Sequence, residues 1–366
     1  MARYAQIVGW GKALPTRVMH NLEFERLFET SDQWIRERTG IVERRLAGPG
    51  ETTGTLAAQA AREALAVANL DPRWVDFVIV ATCTPDKLMP ATAPMVQQAI
   101  GATNAAAVDV NAACAGFTYA LVMANSMIAA GVYRHVLVIG ADTLARWLDW
   151  EDRRVSILFG DGAGAVLLAA SDEPTGLLAH QLGSDGSKAD LLHIPAGGSA
   201  APSTAETVAA KGHYIQMEGR AVFKFAVKAI VDSTRAVLDA AGMHVGDVDL
   251  FVPHQANARI IDAAAESVGL PKGRVFTNIE RYGNTSAASI PIALCEAIEE
   301  GRLRPGDTVL MCGFGAGLTW GTAIFQWGVP LSAPATEPWR SLASSMNGRA
   351  DRARAIARRA VAGVGA

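Results

Sequence analysis

The chain reads as an α/β protein built from two related halves, and three observations lead there. Short apolar runs of strand character alternate with alanine-rich helical stretches, the pattern of sheets covered by helices on both faces. The pattern also repeats. Val75-Asp-Phe-Val-Ile-Val-Ala returns as Val248-Asp-Leu-Phe-Val-Pro-His, and His135-Val-Leu-Val-Ile-Gly returns as Thr308-Val-Leu-Met-Cys-Gly, both at an offset of 173 residues. An alanine-rich helix precedes each copy of the first pair, Leu56 to Ala68 in one case and Phe225 to Ala241 in the other. Finally, 366 residues, 50% of them hydrophobic and 19% charged, suffice for a large core. We expect one half over residues 1–173, the second over 174–330 and a separate tail over 331–366.

Taken in order, the N-terminus Met1-Ala-Arg-Tyr-Ala-Gln-Ile-Val-Gly-Trp10 enters a strand directly, without the layout of a signal peptide. No window is apolar for the length of a membrane span. A cytoplasmic protein is expected, with no membrane span and no nucleic-acid partner. The four cysteines, at positions 83, 114, 295 and 312, lack metal-ligand spacing, and a disulfide framework does not suit so apolar a core. Cys295 falls in a helix pattern and Cys312 in a strand, as packing residues.

Cys114 stands apart, because Ala105-Ala-Ala-Val-Asp-Val-Asn-Ala-Ala-Cys114-Ala-Gly-Phe-Thr places a thiol where an apolar strand turns into a helix running to about Ala130. Unpaired amides and the macrodipole at a helix N-terminus favour a thiolate and suit an oxyanion. A small buried cysteine is the competing reading. Cys83 also follows a strand, but Pro85 comes two residues later and no helix starts behind it. The clusters Gly160-Asp-Gly-Ala-Gly164 and Gly313-Phe-Gly-Ala-Gly317 are each followed by an apolar strand rather than a helix. They therefore lack the helix N-terminus that a nucleotide loop needs, and are read as points of close backbone approach. His254 ends a proline-broken strand ahead of a helix, and Asn284 occupies a glycine-marked turn ahead of another. Alone, each is more ordinarily a structural residue; together with Cys114, three chemistry-bearing residues stand at strand exits or helix starts.

On these residues the chain resembles the 3-oxoacyl-acyl-carrier-protein synthase III family of thiolase-like condensing enzymes. The resemblance rests on the Cys114 segment, Trp34-Ile-x-x-Arg38-Thr-Gly-Ile, Phe159-Gly-Asp-Gly-Ala-Gly, His254-Gln-Ala-Asn-x-Arg259, Gly283-Asn-Thr-Ser-Ala-Ala-Ser289 and Gly313-Phe-Gly-Ala-Gly-Leu-Thr-Trp-Gly321. It implies the thiolase fold, in which the two halves stack in five αβαβα layers. It implies an acyltransferase of fatty-acid initiation in which Cys114, His254 and Asn284 carry the chemistry. Backbone amides of Cys114 and Ala316 would hold the oxyanion, although many relatives have glycine at the latter position. It further implies a homodimer in which Met89 closes the partner's acyl pocket, acyl-CoA and malonyl-carrier protein as substrates, and no cofactor or metal.

The same resemblance assigns Trp34 and Arg153, with Arg38 alongside, to CoA binding as a sandwich on adenine. It assigns Lys224, Gln255 and Arg259 to the carrier protein. The chain departs from the family where many members carry a basic pair and this sequence has Glu266-Ser267, with Lys272 and Arg274 as partial replacements. That departure keeps open a condensing enzyme or acyltransferase of specialised metabolism with another acceptor. A noncatalytic subunit disagrees with an intact Cys, His and Asn set, and a hydroxymethylglutaryl-CoA-synthase-like enzyme would need a glutamate near Val80 to Pro85. The tail holds six Arg against Glu337 and Asp351 and reads as a basic surface segment.

Overall fold

The computed structural model describes residues 4–328, so the tail expected over 331–366 lies outside the described residues. Nine strands form two main sheets. They are β1 (Tyr4–Ala13), β2 (Phe77–Ala81), β3 (Ala106–Val110), β4 (His135–Thr143), β5 (Asp161–Ser171), β6 (Gly176–Ser184), β7 (Leu250–Pro253), β8 (Thr308–Gly315) and β9 (Thr319–Gln326). Seven helices of eight residues or more occur among the described residues: α1 (Asp32–Thr39), α2 (Thr53–Ala68), α3 (Thr92–Ile100), α4 (Gly116–Ala129), α5 (Gly219–Ala241), α6 (Ala258–Val268) and α7 (Ser289–Glu299).

The first sheet has the order β1-β5-β4-β2-β3, with β4, β2 and β3 parallel and the other pairings antiparallel. The second has the order β7-β8-β9-β6, of which β7 and β8 are parallel. The two copies of the sequence repeat are the parallel pair at the heart of each sheet, β2 beside β4 and β7 beside β8. Even β3 has a vestigial counterpart, a single parallel bridge between Phe251 and Val275.

Helix placement follows from which faces are apolar. Alanines of α2 pack with α3 against one face of the first sheet, and α5 and α6 cover the far face of the second. Between the sheets lie α4 and α7. Phe117, Ala120, Leu121, Ala124 and Ile128 of α4 are fully buried, and a helix that is apolar all round belongs in the interior. Burying Phe117 alone contributes roughly 1.5–3 kcal/mol. The result is the five-layered thiolase-like arrangement, with one central helix drawn from each copy of the repeat.

Helix ends are set locally. Thr52 caps α2 with a reciprocal bond to Thr55, and Gly242 ends α5 at φ +62°, where only a residue without Cβ is unstrained. No described helix is long and apolar enough to cross a membrane.

Candidate active site

Cys114 sits in a single 3-10 turn, Ala113–Ala115, that feeds α4, one step earlier than an uninterrupted helix from Ala115 would place it. The turn is strained, since Ala113 adopts φ +46°, a left-handed conformation costing about 1–3 kcal/mol for a residue with a Cβ. Surrounding contacts hold it. The Asn111 carboxamide oxygen accepts the Ala113 N–H at 3.1 Å, and Thr319 donates its hydroxyl to the Ala112 carbonyl at 2.8 Å. Strand β8 presses on the turn so closely that a Cβ at Gly315 would lie 2.6 Å from the Cys114 nitrogen. Here a glycine is required, and the close approach brings the 315–316 backbone beside the Cys114 amide.

The repeat extends to this turn. At the same offset of 173, Ser286 matches Ala113 and adopts φ +53°, Asn284 matches Asn111 and accepts the Ser286 N–H at 2.9 Å, and Ala287 stands where the first copy has the thiol. The two turns face each other at the ends of the central helices. A Cβ on Gly313 would lie 2.9 Å from Ala115 Cα, and one on Gly140 would lie 2.1 Å from the Ala287 carbonyl oxygen. Thus one turn presents a thiol and its counterpart presents the Asn284 carboxamide.

His254 follows β7, its N–H donating to the Cys312 carbonyl at 2.8 Å, and its ring lies edge-on to Phe314 with centroids 5.2 Å apart. Its Nδ1 is 2.6 Å from Ser289 Oγ. Burial pushes the imidazole down to about 3, so it is neutral in the working pH range. The Asn284 carboxamide oxygen is committed to Ser286, which leaves its NH₂ group as the end free to donate.

Cys114, His254 and Asn284 line one cavity of 660 Å³, which runs outward past Phe314 and Met217 to Trp34, Arg38, Lys224 and Arg259. A second cavity of 840 Å³ meets the first at Cys114, Phe159 and Leu192 and runs past Cys83, Trp147, Ile194 and Ile215 to Leu88 and Ala316. One cavity therefore connects the thiol to a basic mouth, and the other offers it a largely apolar chamber.

The resting state of the thiol differs from the dipole argument. Burial pushes Cys114 up to about 12, with the hydrogen bond from Ser286 opposing and the charge of Asp142 adding to the rise. A thiol buried in apolar surroundings is protonated, and neither the one-turn prelude nor a helix N-terminus offsets that. Alkylation of Cys114 by iodoacetamide is accordingly expected to accelerate about tenfold per pH unit from pH 7 to 10, because the thiolate fraction rises by that factor below the pKa. Peptide mapping isolates the Cys114 signal, and a plateau near neutrality would show a depressed pKa instead.

Cys83 lies in the second cavity, its thiol donating to Asp142 at 3.4 Å and pushed well above the ordinary range by burial. It too is held protonated by burial, and it lacks the helix start that follows Cys114. Asp142, fully buried, gathers Thr82, Cys83, Thr84 and the Ala287 N–H, tying the β2 exit to the Asn284 turn. Sequence reasoning missed Asp142, Ser286 and Ser289. The two serines lay inside a motif already singled out, whereas nothing near Asp142 marked it.

At the mouth, the Trp34 indole is covered by two guanidinium groups, Arg38 at 5.7 Å and Arg153 at 5.3 Å from its centroid. Arg153 also donates to the Glu29 carbonyl at 2.9 Å. That spacing leaves no room for a further ring between Trp34 and Arg153 in this conformation. Arg154 and Arg220, not anticipated, line the same cavity. Lys224 and Arg259 are exposed, the latter over Phe223 at 5.9 Å.

One docking assignment is corrected. Gln255 is buried, its amide donating to the Pro253 and Phe276 carbonyls while its oxygen accepts from Asn278, so it holds the loop and cannot meet a carrier protein. Arg274 donates to the Gly246 and Val248 carbonyls, which hold its charged guanidinium against the start of β7. Met89 is exposed, its side chain turned away from this chain's own core.

A five-layered α/β fold with a thiol nucleophile candidate at the junction of two cavities is the architecture of a thiolase-like condensing enzyme, a class of acyltransferase. Comparisons with known proteins narrow the class. Residues 108–186 match the family described as 3-oxoacyl-[acyl-carrier-protein] synthase III, and residues 238–327 match its C-terminal part. A beta-ketoacyl-[acyl-carrier-protein] synthase III of Roseiflexus castenholzii is 53% identical over 327 residues, covering 89% of this chain and 99% of the relative. The enzyme of the same name from Symbiobacterium thermophilum is 51% identical over 322 residues, 88% of this chain and 98% of the relative. Among solved structures, the 3-oxoacyl-[acyl-carrier-protein] synthase III of Aquifex aeolicus superposes with a TM-score of 0.82 at 47% identity, covering 88% of this chain and all of the other. The chain belongs to the 3-oxoacyl-[acyl-carrier-protein] synthase III family and is a condensing acyltransferase of fatty-acid biosynthesis.

Proposed function

We propose that the chain condenses an acyl-CoA primer with malonyl-acyl-carrier protein, and that Cys114, His254 and Asn284 carry the reaction. The observation that supports this most is the single cavity that lines up the three side chains and opens at a basic mouth. Cys114 attacks the thioester carbonyl, the proton of its thiol leaves with CoA, and the acyl chain enters the second cavity. Amides of Cys114 and Ala316 hold the oxyanion. A malonyl thioester then enters, its carbon–carbon bond to the carboxylate breaks, and CO₂ departs. His254 and Asn284 donate to the thioester oxygen as the enolate develops; its carbon then bonds to the acyl carbonyl carbon, the carbon–sulfur bond to Cys114 breaks, and the released thiolate takes a proton from water. Thiol, amides and two neutral donors supply the chemistry, with acyl-CoA as substrate and no cofactor in the sequence of steps.

CoA enters beside Trp34, with Arg38 and a displaced Arg153 on its adenine, and Lys224 and Arg259 steer the carrier. The protein acts as a homodimer. Leu88 and Met89 are 90% and 87% exposed, side chains more at home against a partner's acyl cavity than in water.

A second reading has one observation in its favour. The priming beta-ketosynthase of the R1128 polyketide pathway superposes with a TM-score of 0.84 at 37% identity, covering 90% of this chain and 98% of the other. Carrier docking separates the two. Arg259→Glu is expected to raise KM for malonyl-carrier protein several-fold with little change in self-acylation, and the wild-type rate with carrier to fall as salt rises. Glu266→Lys should lower the same KM. A flat salt profile with product formed on a small-molecule acceptor would instead favour specialised metabolism.

A further inference from the structure

We propose that Ser289 is a positioning residue for the decarboxylation step, holding His254 in the tautomer whose proton sits on Nε2 and faces the cavity. The inference rests on the reading above that His254 donates to the thioester oxygen. Ser289 opens α7 and is 2% exposed, so its hydroxyl must be satisfied by protein groups. Its oxygen accepts the Gln255 N–H at 3.3 Å and lies 2.6 Å from His254 Nδ1, and it has no third hydrogen-bond partner among the described residues.

A serine hydroxyl has one hydrogen to give and two lone pairs to receive. If Nδ1 carried the imidazole proton, Ser289 would accept twice and its own buried hydrogen would have no acceptor. If Nδ1 is the bare nitrogen, the hydroxyl donates to it, and both the hydroxyl and Nδ1 are satisfied. An unmade bond of a buried hydroxyl is costly enough to favour the second arrangement about tenfold or more. The neutral state of His254 makes the choice consequential, since an imidazole with a single proton can offer it on only one side.

Orientation is fixed by the same contacts. The His254 backbone is tied to Cys312, and Phe314 stands edge-on against the ring. A half-turn of the ring would put a carbon against Ser289. Nε2 has no protein partner among the described residues, and His254 lines the cavity that holds Cys114 and Asn284. The Nε2–H tautomer therefore gives a developing enolate oxygen two donors, imidazole and carboxamide. The opposite tautomer would face that oxygen with a lone pair.

The direct test is nitrogen-15 NMR of the full chain labelled at its seven histidines, with His254→Ala used to assign the signal. Wild type is expected to show a protonated Nε2 and a bare Nδ1, Ser289→Ala a mixture of tautomers, and Ser289→Thr, which keeps the hydroxyl, the wild-type pattern. Malonyl decarboxylation should fall about tenfold in Ser289→Ala and recover in Ser289→Thr. Self-acylation by acyl-CoA should stay within about twofold in both, which also reports that the variants are folded. A protonated Nδ1 in wild type, or an unchanged pattern in Ser289→Ala, overturns the role of Ser289. A shifted tautomer with undiminished decarboxylation overturns instead the donor role of His254.

Discussion

Cys114→Ser is expected to abolish the acyl-enzyme. The wild-type thiol is already protonated at rest, so attack has to be coupled to loss of its proton, and sulfur tolerates that far better than oxygen. Among the described residues no strong base is hydrogen-bonded to Cys114. Its side-chain hydrogen-bond partner is the Ser286 hydroxyl, and the His254 ring in the same cavity bonds through Nδ1 to Ser289 rather than to the thiol. A serine would therefore have neither an accessible alkoxide nor a general base, and self-acylation should fall by several orders of magnitude. Intact-protein mass spectrometry after incubation with acyl-CoA measures it, and peptide mapping of the wild type identifies the acylated residue. An acyl group found on Cys83 would overturn the assignment, since the two thiols line the same chamber.

His254→Ala and Asn284→Ala should divide the reaction. On the proposed mechanism each removes one donor aimed at the enolate, a loss of about 2.7–4 kcal/mol or roughly a hundred- to a thousandfold in decarboxylation. The first oxyanion relies on backbone amides that neither substitution deletes, so self-acylation should largely persist. Because burial pushes His254 down to about 3, lowering the pH from 8 to 5 does not charge it, and the wild-type profile should carry no inflection from this histidine in that range. An inflection near 6.5 that vanished in His254→Ala would mean that the ring ionises during turnover. Equal losses of acylation and decarboxylation would remove the division of labour.

The architecture was legible in the sequence because a duplication leaves copies of itself. The pairs at Val75 and Val248, and at His135 and Thr308, mark the parallel core of both sheets, and apolar runs of strand length stand out against the polar turns that bound them. The locations of Cys114, His254 and Asn284 were legible too, since the first two each follow a strand and all three stand in turns ahead of a helix. Gln255 was misread for a simple reason. It sits between His254 and the exposed Arg259 in one motif, and adjacency in sequence does not tell a side chain which way to face.

What the sequence by itself determined, then, is the set of elements, their duplication and the three side chains of the candidate site. Periodicity, turn chemistry and motif spacing are local, and a local pattern suffices to write them. What only the tertiary structure decided is how those groups behave. The neutral thiol, the neutral imidazole, the strained turn at Ala113 and the Ser289 hydrogen bond all depend on what lies on every side. Burial and hydrogen-bond partnership are sums over neighbours from segments far apart in the chain, such as His254 with Ser289, or Cys114 with Ser286 and Gly315. Protonation follows those sums, because removing water from around a charge costs more than any local sequence preference can return.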